Sequence, residues 1–302
     1  MINEHYRTIK AEYKTWLDTL GFSTGLVRGY PMQVGYFFEW LETQSVNHVQ
    51  QLKQHHVKEY FTYLEQRPSK QGTGALSVHY LNKNFLAIDK LLEFLHTQGM
   101  KNTPLPPKYR IDYDRQEEIN KINPLTQSEI KELYASIETT FLNRNFVERE
   151  ARQYQLKLMF ALYYGCGLRR IEGYNLTFDD INFENRTVFV RQGKNYKDRI
   201  VPMSEGVYRE LQDYIYNFRH KQKLPHKRLF IHGTGQLLKN LKILQKTCPN
   251  EAIQAKKITL HLLRHSIATH LLQNGMSVES IRQFLGHSGL EATQIYTHIV
   301  ER

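Results

Sequence analysis

Along residues 3–99, apolar positions recur every three or four residues between polar or glycine-containing breaks. The spacing predicts four helices at about 3–20, 26–43, 50–66 and 75–98. The breaks are Gly21, the Ser45-Val46-Asn47 stretch and Gly72-Thr73-Gly74. In the last helix Leu81, Phe85, Ile88, Leu91, Leu92 and Leu95 form one stripe, with Lys83 and Lys90 facing elsewhere. No strand pattern interrupts this part of the chain.

The pattern changes after Gly99. Pro104, Pro106 and Pro107, followed by Asp114, Arg115, Glu117 and Glu118, mark 103–122 as a linker between a helical domain (1–102) and a second domain (123–302). Thr126 and Glu129 form a capping-box pair that opens a helix to about Thr140, and a longer helix runs from about Glu148 to Tyr164. Period-two alternation then predicts strands at Phe178–Phe183, Thr187–Gln192 and Arg199–Met203. Turns at Glu184-Asn185-Arg186 and Gly193-Lys194-Asn195 make them a three-stranded antiparallel meander. From Ser204 onward the pattern is helical again, including a helix at Ser277–Leu285. The expected fold is mainly α with a small antiparallel sheet in an α+β second domain.

Composition narrows the partners. The 302 residues carry a net charge of +11, distributed as +4 over 1–110, −2 over 111–122 and +9 over 123–302. Such a balance favours nucleic acid or an anionic surface. Two cysteines, Cys166 and Cys248, without a CxxC pair argue against a disulfide framework or a cysteine zinc site. The N-terminus lacks an apolar signal core and no run reaches membrane-span length, so the expected location is cytoplasmic.

Six residues carry candidate chemistry. Arg169 follows the Gly165-Cys166-Gly167 break at a helix start, with Glu172 three residues on to brace it. Lys194 sits in the predicted hairpin turn, His261 and Arg264 are spaced i, i+3, His287 follows Gly286 at a helix exit, and Tyr296 lies near the end in a predicted short helix. Each alone has an ordinary structural explanation: a solubilising lysine, a surface histidine, a packing tyrosine. Together they match metal-free phosphoryl transfer. A tyrosine hydroxyl titrates near 10 and needs a base such as His261 to attack a phosphodiester. Two guanidinium forks, Arg169 and Arg264, suit the charge that builds on the non-bridging oxygens. A lysine such as Lys194 can protonate the departing 5′ oxygen. No carboxylate cluster accompanies these residues, and the spacing of His261, His265 and His270 is of the kind that 14 histidines produce by accident, so neither a metal nor another cofactor is expected.

The segment Thr259-Leu260-His261-Leu262-Leu263-Arg264-His265-Ser266-Ile267-Ala268-Thr269-His270, followed by Leu285-Gly286-His287 and Thr293-Gln294-Ile295-Tyr296-Thr297-His298, resembles the signature of tyrosine site-specific recombinases. It is most similar to Xer-type enzymes and phage-type integrases. Gly167-Leu168-Arg169 with Glu172, and Gly193-Lys194 before Arg199-Ile200-Val201-Pro202, match that family's first-arginine motif and lysine hairpin in the same order. The resemblance implies a two-domain C-shaped clamp on duplex DNA, with the first domain a helical core-binding domain. It implies cleavage by Tyr296 through a 3′-phosphotyrosine, and strand exchange by a homotetramer through a Holliday junction, possible partners including a second recombinase. On this reading Lys83, Asn84, Lys197 and Arg199 contact DNA. Arg170 and Gly173 depart from the family pattern, which has apolar residues there. Two rival classes stay open: a DNA-binding architectural or regulatory protein, and a type IB topoisomerase that relaxes DNA without exchanging partners.

Overall fold

Helix formation begins wherever a small polar side chain can take the orphan amides of a first turn. In the computed structural model, which describes residues 2–69, 74–112, 122–191, 198–287 and 293, Asn3 caps α1 (Glu4–Thr19) by accepting from the Tyr6 amide at 2.9 Å. Ser77 does the same for α4 (Val78–Thr97) through Tyr80. Between them lie α2 (Thr24–Thr43) and α3 (Gln54–Gln66). The third predicted helix starts four residues late because Val49–Gln51 forms a separate 3₁₀ turn. There the Gln51 carboxamide accepts from the amides of Asn47 and His48.

These four helices belong to the first of two compact units, Met1–Asp114 and Arg115–Arg302. Its core is strongly aromatic, with Tyr6, Tyr13, Phe37, Phe38, Tyr60, Phe85 and Phe94 buried. Tyr6 stacks on Phe38 at 4.2 Å while its hydroxyl donates to the Val46 carbonyl, so the ring is buried without stranding its polar end. All six apolar residues of the α4 stripe are buried. The proline-rich stretch after α4 runs along the same unit: Asn82 exchanges two hydrogen bonds with Ile111, and Arg110 pairs with the buried Asp89 at 2.8 Å.

In the second unit the capping box forms as its residues predict, with Thr126 and Glu129 exchanging bonds of 3.1 and 2.7 Å at the start of α5 (Gln127–Ala135). The helix is shorter than expected. It gives way to turns at Ser136, whose hydroxyl, like that of Thr140, bonds back to a carbonyl four residues earlier. Helix α6 (Phe146–Met159), capped by Asn145, continues as a π-helical segment at Phe160–Gly165. Then come α7 (Arg170–Asn175) and a sheet of β1 (Ile181–Asn182), β2 (Thr187–Val190) and β3 (Arg199–Pro202), antiparallel in that order. The first strand is much shorter than predicted. Residues Phe178–Asp180 form a 3₁₀ turn because the Asp180 carboxylate accepts from both the amide and the hydroxyl of Thr177.

Register pairs Val188 with Val201 and Val190 with Arg199, and the three valines are buried. Helices α8 (Glu205–Asp213), α9 (Thr234–Thr247), α10 (Glu251–Ala255), α11 (Leu260–Gln273) and α12 (Val278–Leu285) complete this unit. The fold is mainly α with a small antiparallel sheet. Among the described residues no helix is long and apolar enough to cross a membrane.

Candidate active site

Three consecutive carbonyls at the end of α12 organise the site. A helix leaves its last carbonyls without amide partners and concentrates partial negative charge there. Arg199 Nε donates to the Phe284 carbonyl at 3.1 Å, Arg264 Nη2 to Leu285 at 2.8 Å and Arg169 Nη2 to Gly286 at 2.7 Å. Gly286 is left-handed (φ 67°), the conformation that terminates a helix most cheaply when no side chain is present. The chain thereby turns to present His287 directly beside two of the guanidiniums.

Each arginine reaches this turn from a different element. Arg264 lies on α11, which Thr259 caps, and only 4% of it is exposed; its other arm donates to the Gly167 carbonyl. Arg169 occupies the cap position of α7, where its amide donates to Glu172 Oε2 at 2.8 Å and its Nη1 to Oε1 at 2.7 Å. Gly167 (φ 59°) allows the approach, because a Cβ there would stand 2.8 Å from the Leu285 side chain. Charge is balanced locally by Glu172. Burial acts to raise its carboxyl pKa, but hydrogen bonds and charge from Arg199 and Arg169 overcome this and bring it down to about 2.

The histidines respond to the same field. Burial, then the charges of Arg264 and Arg169, depress the His287 imidazole to about 3, and its Nδ1 is hydrogen-bonded to the Thr293 hydroxyl at 2.8 Å. His261 is exposed one turn before Arg264, and desolvation with the charges of Arg264, Arg170 and Arg169 lowers its pKa as well. His287 is therefore neutral at pH 7, and the same causes favour the neutral form of His261. Thus four of the six predicted catalytic residues, Arg169, His261, Arg264 and His287, belong to one neighbourhood of α11, α12 and the start of α7. Lys194 and Tyr296 lie outside the described residues, as does Lys197.

Residues 123–302 match the model of the phage integrase family. The chain belongs to that family, the tyrosine recombinases. A tyrosine recombinase of Pseudothermotoga lettingae is 31% identical over 257 residues, 82% of this chain and 78% of that protein. Tyrosine recombinase XerA of Thermococcus onnurineus is 30% identical over 312 residues, covering 95% and 89%. Among solved structures, the XerH site-specific recombinase bound to difH substrate shares the fold with a TM-score of 0.69 at 18% identity, over 98% of this chain and 82% of that one. The Tn1549 transposon integrase in complex with a circular intermediate DNA shares it at 0.65 and 19%, over 95% and 94%. The protein is an enzyme that breaks and rejoins double-stranded DNA.

Two DNA-contact expectations for the recombinase need correction. Asn84 is 1% exposed and donates to the Tyr80 carbonyl at 2.7 Å, so it packs inside the first unit instead of reading bases. Its place three residues after Leu81 and four before Ile88 puts it on the apolar stripe, a signal the sequence carried. Arg199 also faces inward, its side chain 9% exposed and its fork on Glu172 at 2.9 and 3.1 Å. Lys83 is half-buried, with its amine across Gly29. The unusual Gly173 has a partner in the recombinase: the Tyr163 ring fills the space, 2.8 Å from where a Cβ would stand, and its hydroxyl donates to the Arg170 carbonyl. Among the described residues no group of His, Cys, Asp and Glu is arranged to hold a metal ion.

Proposed function

We propose that the chain carries out site-specific recombination by metal-free strand cleavage and rejoining, with Tyr296 as nucleophile. The observation that supports it best is the meeting of Arg169, Arg264 and a neutral His287 at the Gly286 turn, with His261 one helical turn before Arg264. Two permanent cations and a neutral donor suit a phosphate whose charge grows in the transition state.

On this reading the Tyr296 hydroxyl attacks the scissile phosphorus and His261 takes its proton. The bond to the 5′ oxygen breaks, Lys194 protonates the departing 5′-hydroxyl, and the 3′ phosphate stays on the tyrosine. In the tautomer whose Nδ1 accepts from the Thr293 hydroxyl, His287 carries its proton on Nε2 and offers it to a non-bridging oxygen. Attack by the 5′-hydroxyl of another strand reverses the sequence, and the phosphotyrosine conserves the bond energy, so no nucleotide cofactor is required. Four copies on two sites perform the exchange in two steps through a Holliday junction.

The test is to incubate the full chain, in EDTA, with nicked suicide duplexes drawn from the DNA flanking its gene. SDS-resistant adducts are expected, and Tyr296→Phe should abolish them with little change in affinity. Lys194→Ala should recover on a duplex whose 5′ oxygen is sulfur, a leaving group that needs no proton. Site-specific binding with no adduct on any duplex would favour a regulatory role, and sequence-independent relaxation of supercoils by a monomer would favour a topoisomerase.

A further inference from the structure

Arg199 sits on β3 between two kinds of neighbour. Alternation along the strand leaves Ile200 exposed and buries Val201, and register sets Arg199 opposite the buried Val190. A guanidinium on that inner face is costly unless its donors are satisfied. Three of its five N–H donors are met by both oxygens of Glu172 and by the Phe284 carbonyl, all on other elements. Each partner adjoins a group assigned to the phosphate: Glu172 also carries Arg169, and Phe284 lies two residues before Gly286, whose carbonyl holds the other arm of Arg169.

We infer that Arg199 is a positioning residue for strand cleavage, acting on Arg169 through Glu172 and on His287 through the end of α12. The inference rests on the reading given above. The bidentate fork keeps Glu172 turned toward Arg169 and away from an incoming phosphate, which the carboxylate would repel. The third donor fixes the first of the three carbonyls that define the turn. Loss of Arg199 therefore removes no contact to DNA but loosens two groups that make one. A displacement of about 1 Å in such groups is enough to cost roughly 10²-fold in rate.

The experiment compares Arg199→Gln and Arg199→Lys with the wild-type full chain on a nicked suicide duplex. It measures affinity as a function of salt and the single-turnover rate of adduct formation at saturating protein. Expected is a rate loss of roughly 10²-fold for Gln and about 10-fold for Lys, which keeps the charge but not the fork. Affinity should stay within about twofold with an unchanged salt slope, since no phosphate contact is lost. In a Glu172→Gln background, Arg199→Gln should cost less than it does alone, because the link to Glu172 is already weakened and mainly the hold on the Phe284 carbonyl is left to lose. A salt slope reduced by about one with the saturated rate intact would make Arg199 a DNA contact and overturn the inference. So would losses that add fully to those of Glu172→Gln, or variants as fast as wild type. If Arg199→Gln does not fold, the Lys variant decides. A wild-type chain that forms no adduct would instead overturn the reading of the site, and this inference with it.

Discussion

Each unit of the recombinase buries a carboxylate against arginine, and the two behave in opposite ways. Asp89 in the first unit meets one guanidinium, the partly exposed Arg110, and one amide, from Lys108; burial prevails and its pKa is raised. Glu172 in the second unit accepts from two guanidiniums and the Arg169 amide, with a third guanidinium, that of Arg264, at 3.9 Å; the hydrogen bonds and charge of Arg199 and Arg169 prevail over burial and its pKa falls to about 2. The difference lies in how many fixed donors surround the charge. In the first unit the carboxylate tethers a surface segment to an aromatic core that stands without it. In the second, it is the counter-ion that lets three arginines crowd one turn.

Removing the Glu172 charge should break the second unit most severely. Glu172→Ala leaves buried guanidiniums without their counter-ion, and a loss of about 3–5 kcal/mol in urea-induced unfolding is expected, with adduct formation falling further than for Arg199→Lys. A loss under about 1 kcal/mol would mean that the arginines re-pair without it.

Gly167→Ala is the next largest. Its Cβ would meet Leu285 at 2.8 Å in a left-handed backbone, so about 1–3 kcal/mol should be lost, measured the same way, together with adduct rate. An unchanged adduct rate would show that α12 can retreat without disturbing His287.

Acid sharpens the contrast because the signs differ. His287, held at about 3 against an ordinary 6.5, contributes stability present above 6.5 and lost as pH falls toward 3. Glu172 contributes stability present above 4.5 and lost as pH falls toward 2. Asp89, with its pKa raised above 3.8, works the other way: its contribution is present below 3.8 and lost as pH rises through its folded value. The second unit should therefore yield first on acidification. Natural probes separate the two: Trp16 and Trp40 lie in the first unit, while the buried Cys166 and Cys248 lie in the second. A thiol-reactive disulfide active in acid should label the cysteines at a higher pH than that at which tryptophan fluorescence changes. Simultaneous transitions would sink the comparison.

The smallest effect belongs to Asp89→Asn. The neutral amide keeps the shape and an acceptor for the Lys108 amide, so stability at pH 7 should change by no more than about 1 kcal/mol. A loss as large as that of Glu172→Ala would mean that the two carboxylates do the same work.

Local rules were legible wherever a residue and its partner lie within a turn of each other. The cap at Thr126, the helix ending at Leu285, the α4 stripe and the order of the meander follow from spacing alone. The expected strand at Phe178–Phe183 was cut to Ile181–Asn182 because Asp180 found a nearer partner in Thr177 than any strand offered. Asn84 and Arg199 were misjudged for one reason: a polar residue was assigned to the surface although the period of its own element placed it inside.

What the sequence by itself determined, then, is the set of elements and the identity of the candidate groups, because helix period, strand alternation and caps act between near neighbours. The meeting of Arg169, Arg199 and Arg264 was decided only by tertiary structure. Their shared partners, Glu172 and the carbonyls of 284–286, lie up to 117 residues away from them in the chain, and a backbone carbonyl has no letter in the sequence to announce that it will serve as a ligand.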